Sequence, residues 1–303
     1  MKQLYLLTIV IIIILLIIIL LKNKYINEGF ENRKIIIHKI LLQPKLTKAF
    51  PPGFGDILKG TVSLYMISKK NNYDFYLDLT SHPIGKYITQ NIPNNLLNLD
   101  KEVDEYFIEF NIFNHDNLIE EVNKKMENQD IGLFETNCEP KIVNEITNED
   151  KLKLQQIIKP NLYLQNKIDS IKDELNLVNY SILHIRTGDN NINKGLDSKL
   201  IASVENQLSK INLPNNILLL SDSNELKIYL NEKYNYNIIQ SEIIHLGYLN
   251  SNNKDSGIES TLIDFFLICG SNKIYSLSVY DWNSGFSTMA SRIYDIPIEK
   301  YKI

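Results

Sequence analysis

The sequence predicts an α/β protein with parallel sheets, preceded by one membrane-spanning helix. Two observations lead to this prediction. Residues 4–21 form an uncharged run rich in Ile and Leu, and from residue 34 onward short apolar segments alternate with longer segments of helical periodicity. Continuously apolar strands separated by helices are typical of parallel sheets covered on both faces. The 303 residues are enough for two domains.

The first segment has the length and composition of a membrane anchor. Within residues 4–21 only Tyr5 and Thr8 carry polar side-chain atoms, which suits one helix across a bilayer. A cleaved signal peptide is the alternative, but its apolar region is usually roughly 7 to 15 residues long and ends in small residues, which are missing at 20–23. We expect an anchor at 4–21 and a polar stem at 22–33. Basic residues follow the span more than they precede it, which favours a cytosolic catalytic part.

Charge and cysteine usage exclude several classes of protein. The net charge is −4 at pH 7 and charged residues are spread along the chain, so no basic face predicts a nucleic-acid partner. Cys138 and Cys269 lie far apart and have no His or Cys at ligand spacing. The sequence therefore predicts neither a disulfide framework nor a zinc site.

The first half of the chain contains the elements of one layered domain, which we predict at residues 34–160. Strand-like and helical segments alternate there as in βα units. The predicted elements are a strand at 34–40, a Gly-rich turn at 53–56, a helix at 57–68, strands at 74–79 and 106–113, a helix at 117–126, a strand at 132–135 and a helix at 149–158.

The second half, residues 161–303, reads as a more regular α/β domain. Ligands of such parallel sheets bind at the carboxyl ends of the strands, so the polar residues that follow each strand are the candidate site. The predicted strands are 181–185, 217–220 and 274–278, and the predicted helices are 198–208, 223–232, 258–269 and 284–294.

The most distinctive polar cluster is HIRTGD at residues 184–189, directly after an apolar strand. The planar guanidinium of Arg186 can bind two phosphate oxygens at once. His184 can add a hydrogen bond to a ribose, a phosphate or an acceptor hydroxyl. A structural ion pair at a strand end would use the same residues, and this pattern alone leaves both interpretations open.

The neighbouring motifs resemble those of the α-1,2, α-1,6 and protein O-fucosyltransferase superfamily. His-x-Arg-x-x-Asp after an apolar strand is similar to its first motif, in which the Arg holds the pyrophosphate of GDP-fucose, so the resemblance implies that role for Arg186. The motif layout is closest to that of α-1,6 enzymes and bacterial chitin-oligosaccharide fucosyltransferases. Those enzymes have a second Arg directly afterwards, where this chain has Thr187.

Two later segments resemble the second and third motifs of that superfamily. LLLSDS at 218–223 implies that Asp222 lines the nucleotide pocket. The segment from Asp264 onward implies that this carboxylate reads the guanine edge, where it can accept from N1–H and N2–H, and that Ser284 and Ser287 meet phosphate at a helix start. The ordinary alternatives are helix caps for Asp222 and Ser284, and a Lys partner for Asp264.

A fourth match, GFGDILKG at residues 53–60, resembles the cleft loop of the same enzymes. Gly53 and Gly55 would let the backbone approach the cleft, and Asp56 can cap the following helix. The segment lacks the third Gly of a dinucleotide fingerprint and the Gly-Lys-Ser/Thr end of a P-loop, which argues against NAD and ATP as ligands.

The resemblance implies a GT-B fold, with two Rossmann-like domains that face a cleft, the first shaping the acceptor side and the second holding the donor. It implies inverting transfer of L-fucose from GDP-β-L-fucose to a glycan or protein hydroxyl, without a metal cofactor, and no Asp-x-Asp metal motif occurs. Asp189 is the candidate base, or it only orients Arg186. Anchored enzymes of this type belong to the Golgi or ER, with the orientation opposite to the one that the basic residues favour.

Two other functions remain open from the sequence. One is a GT-B transferase that uses another nucleotide sugar. The other is an inactive, membrane-tethered homologue that binds glycans, in keeping with Thr187 and the absence of the Glu base of α-1,6 enzymes. The presence of Arg186, Asp222 and Asp264 argues for a working site.

Overall fold

The computed structural model describes residues 33–41, 53–97, 99, 105–108, 115–188, 197–244, 246 and 255–303. The predicted span at 4–21 lies outside these ranges, as do the stem at 22–32 and Asp189. Within these ranges, no helix has the length and apolar character that crossing a membrane requires.

Four parallel strands form the first sheet, in the order β2-β1-β4-β3. They are β1 (Ile35–Lys39), β2 (Asp74–Asp78), β3 (Glu105–Ile108) and β4 (Ile131–Thr136). The helices that precede the second sheet are α1 (Phe54–Lys70), α2 (Asn117–Met126), α3 (Asn148–Ile157) and α4 (Leu162–Glu174). Strand β1 is buried at all its positions because strands flank it on both sides and helices cover its faces.

Five parallel strands form the second sheet, in the order β7-β6-β5-β8-β9. They are β5 (Ser181–Arg186), β6 (Ile217–Ser221), β7 (Asn237–Ile238), β8 (Ile274–Ser278) and β9 (Ile298–Lys302). The helices are α5 (Ser198–Leu208), α6 (Asn224–Tyr234), α7 (Asp255–Cys269) and α8 (Gly285–Tyr294). The chain proceeds from β5 to one side through β6 and then returns to the other side at β8. This reversal opens a crevice at the carboxyl ends of β5 and β8.

Helix α8 joins the two halves. Its Arg292 forms an ion pair with Glu139, and Gln155 Nε2 donates to Ile293 O at 2.9 Å. The ring of Phe54, at the start of α1, packs edge-on against Phe265 with centroids 4.9 Å apart. One hydrophobic cluster runs through both halves, so the residues on either side of the crevice share a packed support.

Most predicted elements are confirmed, with bounds that shift by a few residues. One shift affects the candidate site, because α1 begins at Phe54 and not at 57. Gly55 and Asp56 therefore lie in the first turn of a helix, not in a loop, and Gly53 is the N-cap. The prediction that Asp56 caps α1 is wrong for this reason. The predicted domain boundary at 160/161 stays a prediction.

Helix α4 and the strands β7 and β9 were not predicted. Only Leu164 and Ile168 of α4 are buried, while Leu162 is 75% exposed, so its apolar pattern is too sparse to stand out. Strand β9 is a partly exposed strand at the edge of the sheet, and its sequence mixes charged residues with apolar ones. The predicted strand at 106–113 is seen as β3, and residues 109–113 lie outside the described ranges.

Candidate functional site

A cleft of about 320 Å³ opens at the carboxyl ends of β5, β6 and β8, and the start of α1 closes its other side. Both halves of the chain therefore contribute to it. Most residues that the motifs singled out line this cleft, namely Gly53, Gly55, Asp56, His184, Arg186, Asp222, Asp264 and Ser284. Its size and its position at the reversal of strand order suit a small polar ligand.

Arg186, the last residue of β5, reaches the cleft as one half of a partly buried ion pair. Its Nη1 donates to Asp222 Oδ2 at 2.7 Å, and the two side chains are 17% and 7% exposed. Asp222 Oδ1 accepts from the Thr187 N–H at 2.7 Å and from Thr187 Oγ1 at 2.8 Å. Both carboxylate oxygens are thus engaged, so Asp222 positions Arg186. The structural ion pair that the sequence left open exists, and it fixes a guanidinium at the wall of the cleft.

The alternative of Asp222 as a helix cap is wrong. Ser223 is the N-cap of α6, and its hydroxyl accepts from the Leu226 N–H at 3.2 Å. Ser284 is the N-cap of α8 by position, but its side chain makes no capping bond. Its hydroxyl therefore remains available to a ligand in the cleft.

His184 is held by a chain of buried hydrogen bonds. Its Nδ1 lies 3.2 Å from Ser287 Oγ, which lies 2.9 Å from Ser276 Oγ. Ser276 Oγ donates to Asn283 Oδ1 at 2.6 Å, and the Ser284 N–H donates to the same oxygen at 2.7 Å. Asn283 Nδ2 donates to the backbone oxygen of Ser276 at 3.3 Å. These two backbone partners determine the orientation of the Asn283 amide.

The direction of these bonds determines the tautomer of His184. Ser276 uses its proton on Asn283, so Ser287 must donate to Ser276 and can only accept from His184. The imidazole therefore carries its proton on Nδ1, and Nε2, which has no partner among the described residues, is a hydrogen-bond acceptor. The sequence leaves a ribose, a phosphate and an acceptor hydroxyl open as partners of His184. A ribose or acceptor hydroxyl suits Nε2. A phosphate oxygen does not, because it has no proton to donate.

The histidine is neutral at physiological pH. Burial lowers the pKa of His184 to about 4, with the Asp222 carboxylate opposing this shift and the Arg186 guanidinium adding to it. A neutral ring avoids charge repulsion with Arg186 and keeps the Nε2 lone pair available to a hydroxyl group.

Asp264, on α7, lines the cleft. Its Oδ1 is buried and has no hydrogen-bond partner in the described part of the chain. Lys227, the kind of partner that the ordinary alternative requires, donates its Nζ to Ile239 O at 2.6 Å. Burial raises the pKa of Asp264 to about 6, and the positive charge of Lys227 opposes that rise. A buried carboxylate oxygen without a donor indicates that a ligand supplies one.

Two helices begin at the cleft, and neither has a side-chain capping bond. The N-cap residues are Gly53 for α1 and Ser284 for α8. The two starts are packed so closely that a Cβ on Gly55 would lie 2.7 Å from the backbone carbonyl carbon of Gly285. Only glycine fits at position 55 without displacing α8. Two positive helix ends at one point favour an anion such as a diphosphate.

Lys59 was missed by the sequence reasoning, although it lies inside the GFGDILKG motif. Its Nζ donates to Asp56 Oδ1 at 2.9 Å, and its side chain lines the cleft. A Cβ on Gly285 would lie 3.5 Å from this Nζ. An ammonium beside two helix starts is unfavourable by itself, so Asp56 offsets part of the positive charge and a bound anion would offset more.

Ser287 lies behind the site. Its side chain is fully buried, contacts His184 Nδ1 and does not line the cleft. The prediction that its hydroxyl meets phosphate stays a prediction, although the structure places this hydroxyl against His184 and not among the residues that line the cleft. Ser287 positions the histidine.

The turn after β5 requires glycine. Gly188 has a φ of 99°, and a Cβ there would lie 2.9 Å from Val279 Cγ2. Both facts explain the Gly of the HIRTGD motif. The next residue, Asp189, lies outside the described residues, so its role as base or as orienter of Arg186 stays a prediction.

The described residues contain no group of three or more His, Cys, Asp or Glu side chains that could hold a metal ion. Cys138 is buried and Cys269 is partly buried, and neither forms a disulfide. The metal-free reaction remains a prediction.

The chain resembles solved structures in fold, although no family model and no curated protein matches its sequence. NodZ α-1,6-fucosyltransferase of Bradyrhizobium, soaked with GDP-fucose, is similar over 88% of this chain and 94% of its own, with a TM-score of 0.54 and 13% identity. An Arabidopsis thaliana FUT1 mutant in complex with GDP is similar over 89% of this chain and 70% of its own, with a TM-score of 0.56 and 8% identity. POFUT1 in complex with GDP is similar over 89% of this chain and 98% of its own, with a TM-score of 0.50 and 9% identity.

The chain has the fold of these fucosyltransferases. At identities of 8 to 13% the similarity establishes the architecture, a mixed α/β protein with parallel sheets. The chemistry depends on which side chains this chain places in its cleft.

Proposed function

We propose that this chain is an inverting fucosyltransferase of the GT-B type that transfers L-fucose from GDP-fucose to a glycan or protein hydroxyl. The observation that carries the proposal is the convergence of Arg186, two uncapped helix starts and the unpartnered oxygen of Asp264 in one cleft. The guanidinium and helix starts suit a diphosphate, and the carboxylate suits guanine. Fucosyltransferases of the same fold were solved with GDP or GDP-fucose, which supports this nucleotide.

The proposed chemistry places charge stabilisation on the leaving group. When the acceptor oxygen attacks the anomeric carbon of fucose, the bond to the β-phosphate breaks and negative charge grows on GDP. Arg186, held by Asp222, the two helix starts and Lys59 would stabilise that charge. The proton of the acceptor hydroxyl goes to a base, for which Asp189 stays our candidate. His184 Nε2 would orient a ribose or sugar hydroxyl by accepting its hydrogen bond.

We further propose the organisation that the motif resemblance implies. Residues 34–160 form the acceptor-side domain, residues 161–303 form the donor-side domain, and residues 4–21 anchor both to a membrane of the secretory pathway. The basic residues after the span favour the opposite, cytosolic orientation. Protease protection of the full chain in sealed microsomes distinguishes the two orientations.

Turnover of a panel of nucleotide sugars tests the proposed activity. The full chain in detergent is incubated with GDP-fucose, GDP-mannose, UDP-glucose and UDP-N-acetylglucosamine, and release of nucleoside diphosphate and transfer to oligosaccharides are scored. We expect turnover of GDP-fucose alone. Turnover of another sugar nucleotide would support the second transferase hypothesis, and glycan binding without any turnover would support the inactive homologue.

Chelation should leave the activity intact. If Arg186 and the helix starts stabilise the leaving diphosphate, turnover of GDP-fucose should be unchanged in excess EDTA. The measurement is the initial rate of GDP release with and without chelator, followed by addition of Mn²⁺. A rate that is abolished by EDTA and restored by Mn²⁺ would contradict the metal-free mechanism.

Replacing Asp264 should weaken the binding of GDP and change how that binding depends on pH. Asp264→Asn converts a charged acceptor into an amide that matches guanine only partly, so we expect GDP binding to weaken by about 1 to 3 kcal/mol. Because the pKa of Asp264 is raised to about 6, the parent should lose GDP affinity more steeply than the variant as the pH falls through that value. A loss that both proteins share comes from the terminal phosphate of GDP, whose second pKa is also about 6. Calorimetric titration with GDP across this pH range measures both effects.

The stability of the protein without GDP should depend on pH in the opposite direction from its GDP affinity. A carboxyl whose pKa is raised by folding stabilises the fold fully below its ordinary value of 3.8, and that contribution is lost as the pH rises through about 6.

Glu259→Gln is the matched control for the GDP titrations, because Glu259 lies on the same helix as Asp264 but outside the cleft and pairs with Lys167. If Asp264→Asn and Glu259→Gln bind GDP like the parent, Asp264 does not contact the base.

A further inference from the structure

Trp282, the only tryptophan of the chain, lies at the rim of the cleft. It is 73% exposed, and its ring stacks on that of Tyr280 with centroids 4.9 Å apart and planes 15° from parallel. Both residues line the cleft. We name this pair, Tyr280 and Trp282, the aromatic platform. An aromatic face of this size that is left open to solvent indicates a binding surface.

The loop that carries the platform is fixed by backbone hydrogen bonds. The Val279 N–H donates to Arg186 O at 3.2 Å, the Tyr280 N–H to Ser278 Oγ at 3.1 Å, and the Asn283 N–H to Tyr280 O at 3.0 Å. Asn283 also belongs to the buried chain of hydrogen bonds that holds His184. A ligand that stacks on the platform would therefore find it preorganised and would lose little free energy in ordering the loop.

The platform and the proposed guanine site are formed by different elements of the second sheet. The platform follows β8, while Asp264 interacts electrostatically with Lys227 on α6, which follows β6. Tyr280 also borders the turn after Arg186, since its hydroxyl oxygen would lie 3.5 Å from a Cβ on Gly188. A donor whose base meets Asp264 and whose diphosphate meets Arg186 would therefore direct its sugar toward the platform.

We propose that the aromatic platform binds the acceptor, and that the acceptor is a carbohydrate whose pyranose ring stacks on Trp282; this rests on the transferase activity proposed above. The negative face of an aromatic ring attracts the C–H groups on a face of a pyranose. Asp281, beside the platform, pairs with Lys302 at 3.0 Å, and the two side chains are 89% and 52% exposed. Together they provide an acceptor and donors for sugar hydroxyls.

A flat face with charged groups at its edge suits a sugar ring better than a peptide. Extended peptides are usually recognised through the edge of a sheet, and helical peptides through a long apolar groove. The platform offers two stacked rings and one ion pair instead. Binding of a peptide in place of a sugar would therefore contradict the proposal.

Tryptophan fluorescence tests the platform directly, because Trp282 is the only source of that emission. The full chain in detergent is titrated with chitotetraose, N-acetyllactosamine and a Ser/Thr peptide, each with and without GDP. We expect a change in emission with at least one oligosaccharide and none with GDP or the peptide alone. A change with GDP alone would place the base on the platform, a change with the peptide alone would make the acceptor a peptide, and no change with any oligosaccharide would leave no sugar site. Each of these results overturns the proposal.

Variants separate this proposal from the transferase activity itself. For Trp282→Ala we expect the KM of the carbohydrate acceptor to rise about ten-fold while the dissociation constant of GDP is retained, and for Trp282→Phe we expect a value near that of the parent. Tyr234→Ala is the matched control, because Tyr234 is 36% exposed, stacks on Tyr236 with centroids 5.4 Å apart and lies outside the cleft. If the parent releases no GDP from GDP-fucose, the proposed activity is wrong. If the parent is active and the acceptor KM of Trp282→Ala equals that of the parent, only the platform is wrong.

Discussion

Arg186→Lys should lower kcat by about two orders of magnitude or more while the melting temperature barely changes. Lysine keeps the positive charge and can still pair with Asp222, so the fold should tolerate the change. It loses the planar fork of donors, which can follow the growing charge on a leaving diphosphate better than a single ammonium can. Thermal melts and single-turnover rates on the same preparation measure both quantities.

A second arginine provides the control for this experiment. Arg292 also pairs with a carboxylate, that of Glu139, is similarly buried and lies outside the cleft. Arg292→Lys should leave the turnover per folded molecule unchanged. If Arg186→Lys instead lowers stability and keeps normal turnover, Arg186 is only a structural ion-pair residue.

Asp222→Asn should lower both stability and turnover. The parent carboxylate accepts three hydrogen bonds, one from Arg186 and two from Thr187. An amide has only one oxygen, so its NH₂ group would face a donor and the partly buried guanidinium would lose its counter-ion. We expect a loss of about 2 to 4 kcal/mol in the free energy of unfolding and at least a ten-fold lower kcat, because Arg186 would no longer be held in place. Urea denaturation and steady-state rates provide the measurements.

Asp150→Asn is the matched control for stability. Asp150 is buried and accepts hydrogen bonds from Tyr65 at 2.9 Å and Lys69 at 2.7 Å, but it lies outside the cleft. We expect a comparable loss of stability with normal turnover per folded molecule. If Asp222→Asn behaves in the same way, Asp222 supports the fold and does not position Arg186 for the reaction.

The strands that carry the site could be predicted closely because their burial is encoded locally. Strands β5, β6 and β8 are continuous apolar runs with polar residues directly after them, and in a parallel sheet that pattern places the polar residues at one edge. This pattern alone therefore predicts that His184 and Arg186 lie at a cleft. Helix α4 shows the limit, since two buried positions in 13 residues are too few for a periodic pattern to stand out.

The partners of the site residues could not be predicted, because they come from distant parts of the chain. The pairing of Arg186 with Asp222 spans 36 positions, and the contact of His184 with Ser287 spans 103. No local spacing encodes these contacts, so the sequence predicts that Asp222 lines the nucleotide pocket but not that it holds Arg186. The sequence likewise predicts Ser287 near phosphate but not its contact with His184. The contribution of Lys59 depends on the close approach of α1 and α8, which only the packing of the two halves reveals.

Nucleotide preference is the most direct test of a guanine-diphosphate site in this cleft. The melting temperature of the full chain in detergent is measured with equal concentrations of GDP and UDP, for the parent and for Asp264→Asn. We expect GDP to raise the melting temperature more than UDP in the parent, and the difference to shrink in the variant, because only guanine presents two donors to the Asp264 carboxylate. Equal protection of the parent by both nucleotides, or no protection by GDP, would contradict the proposed function.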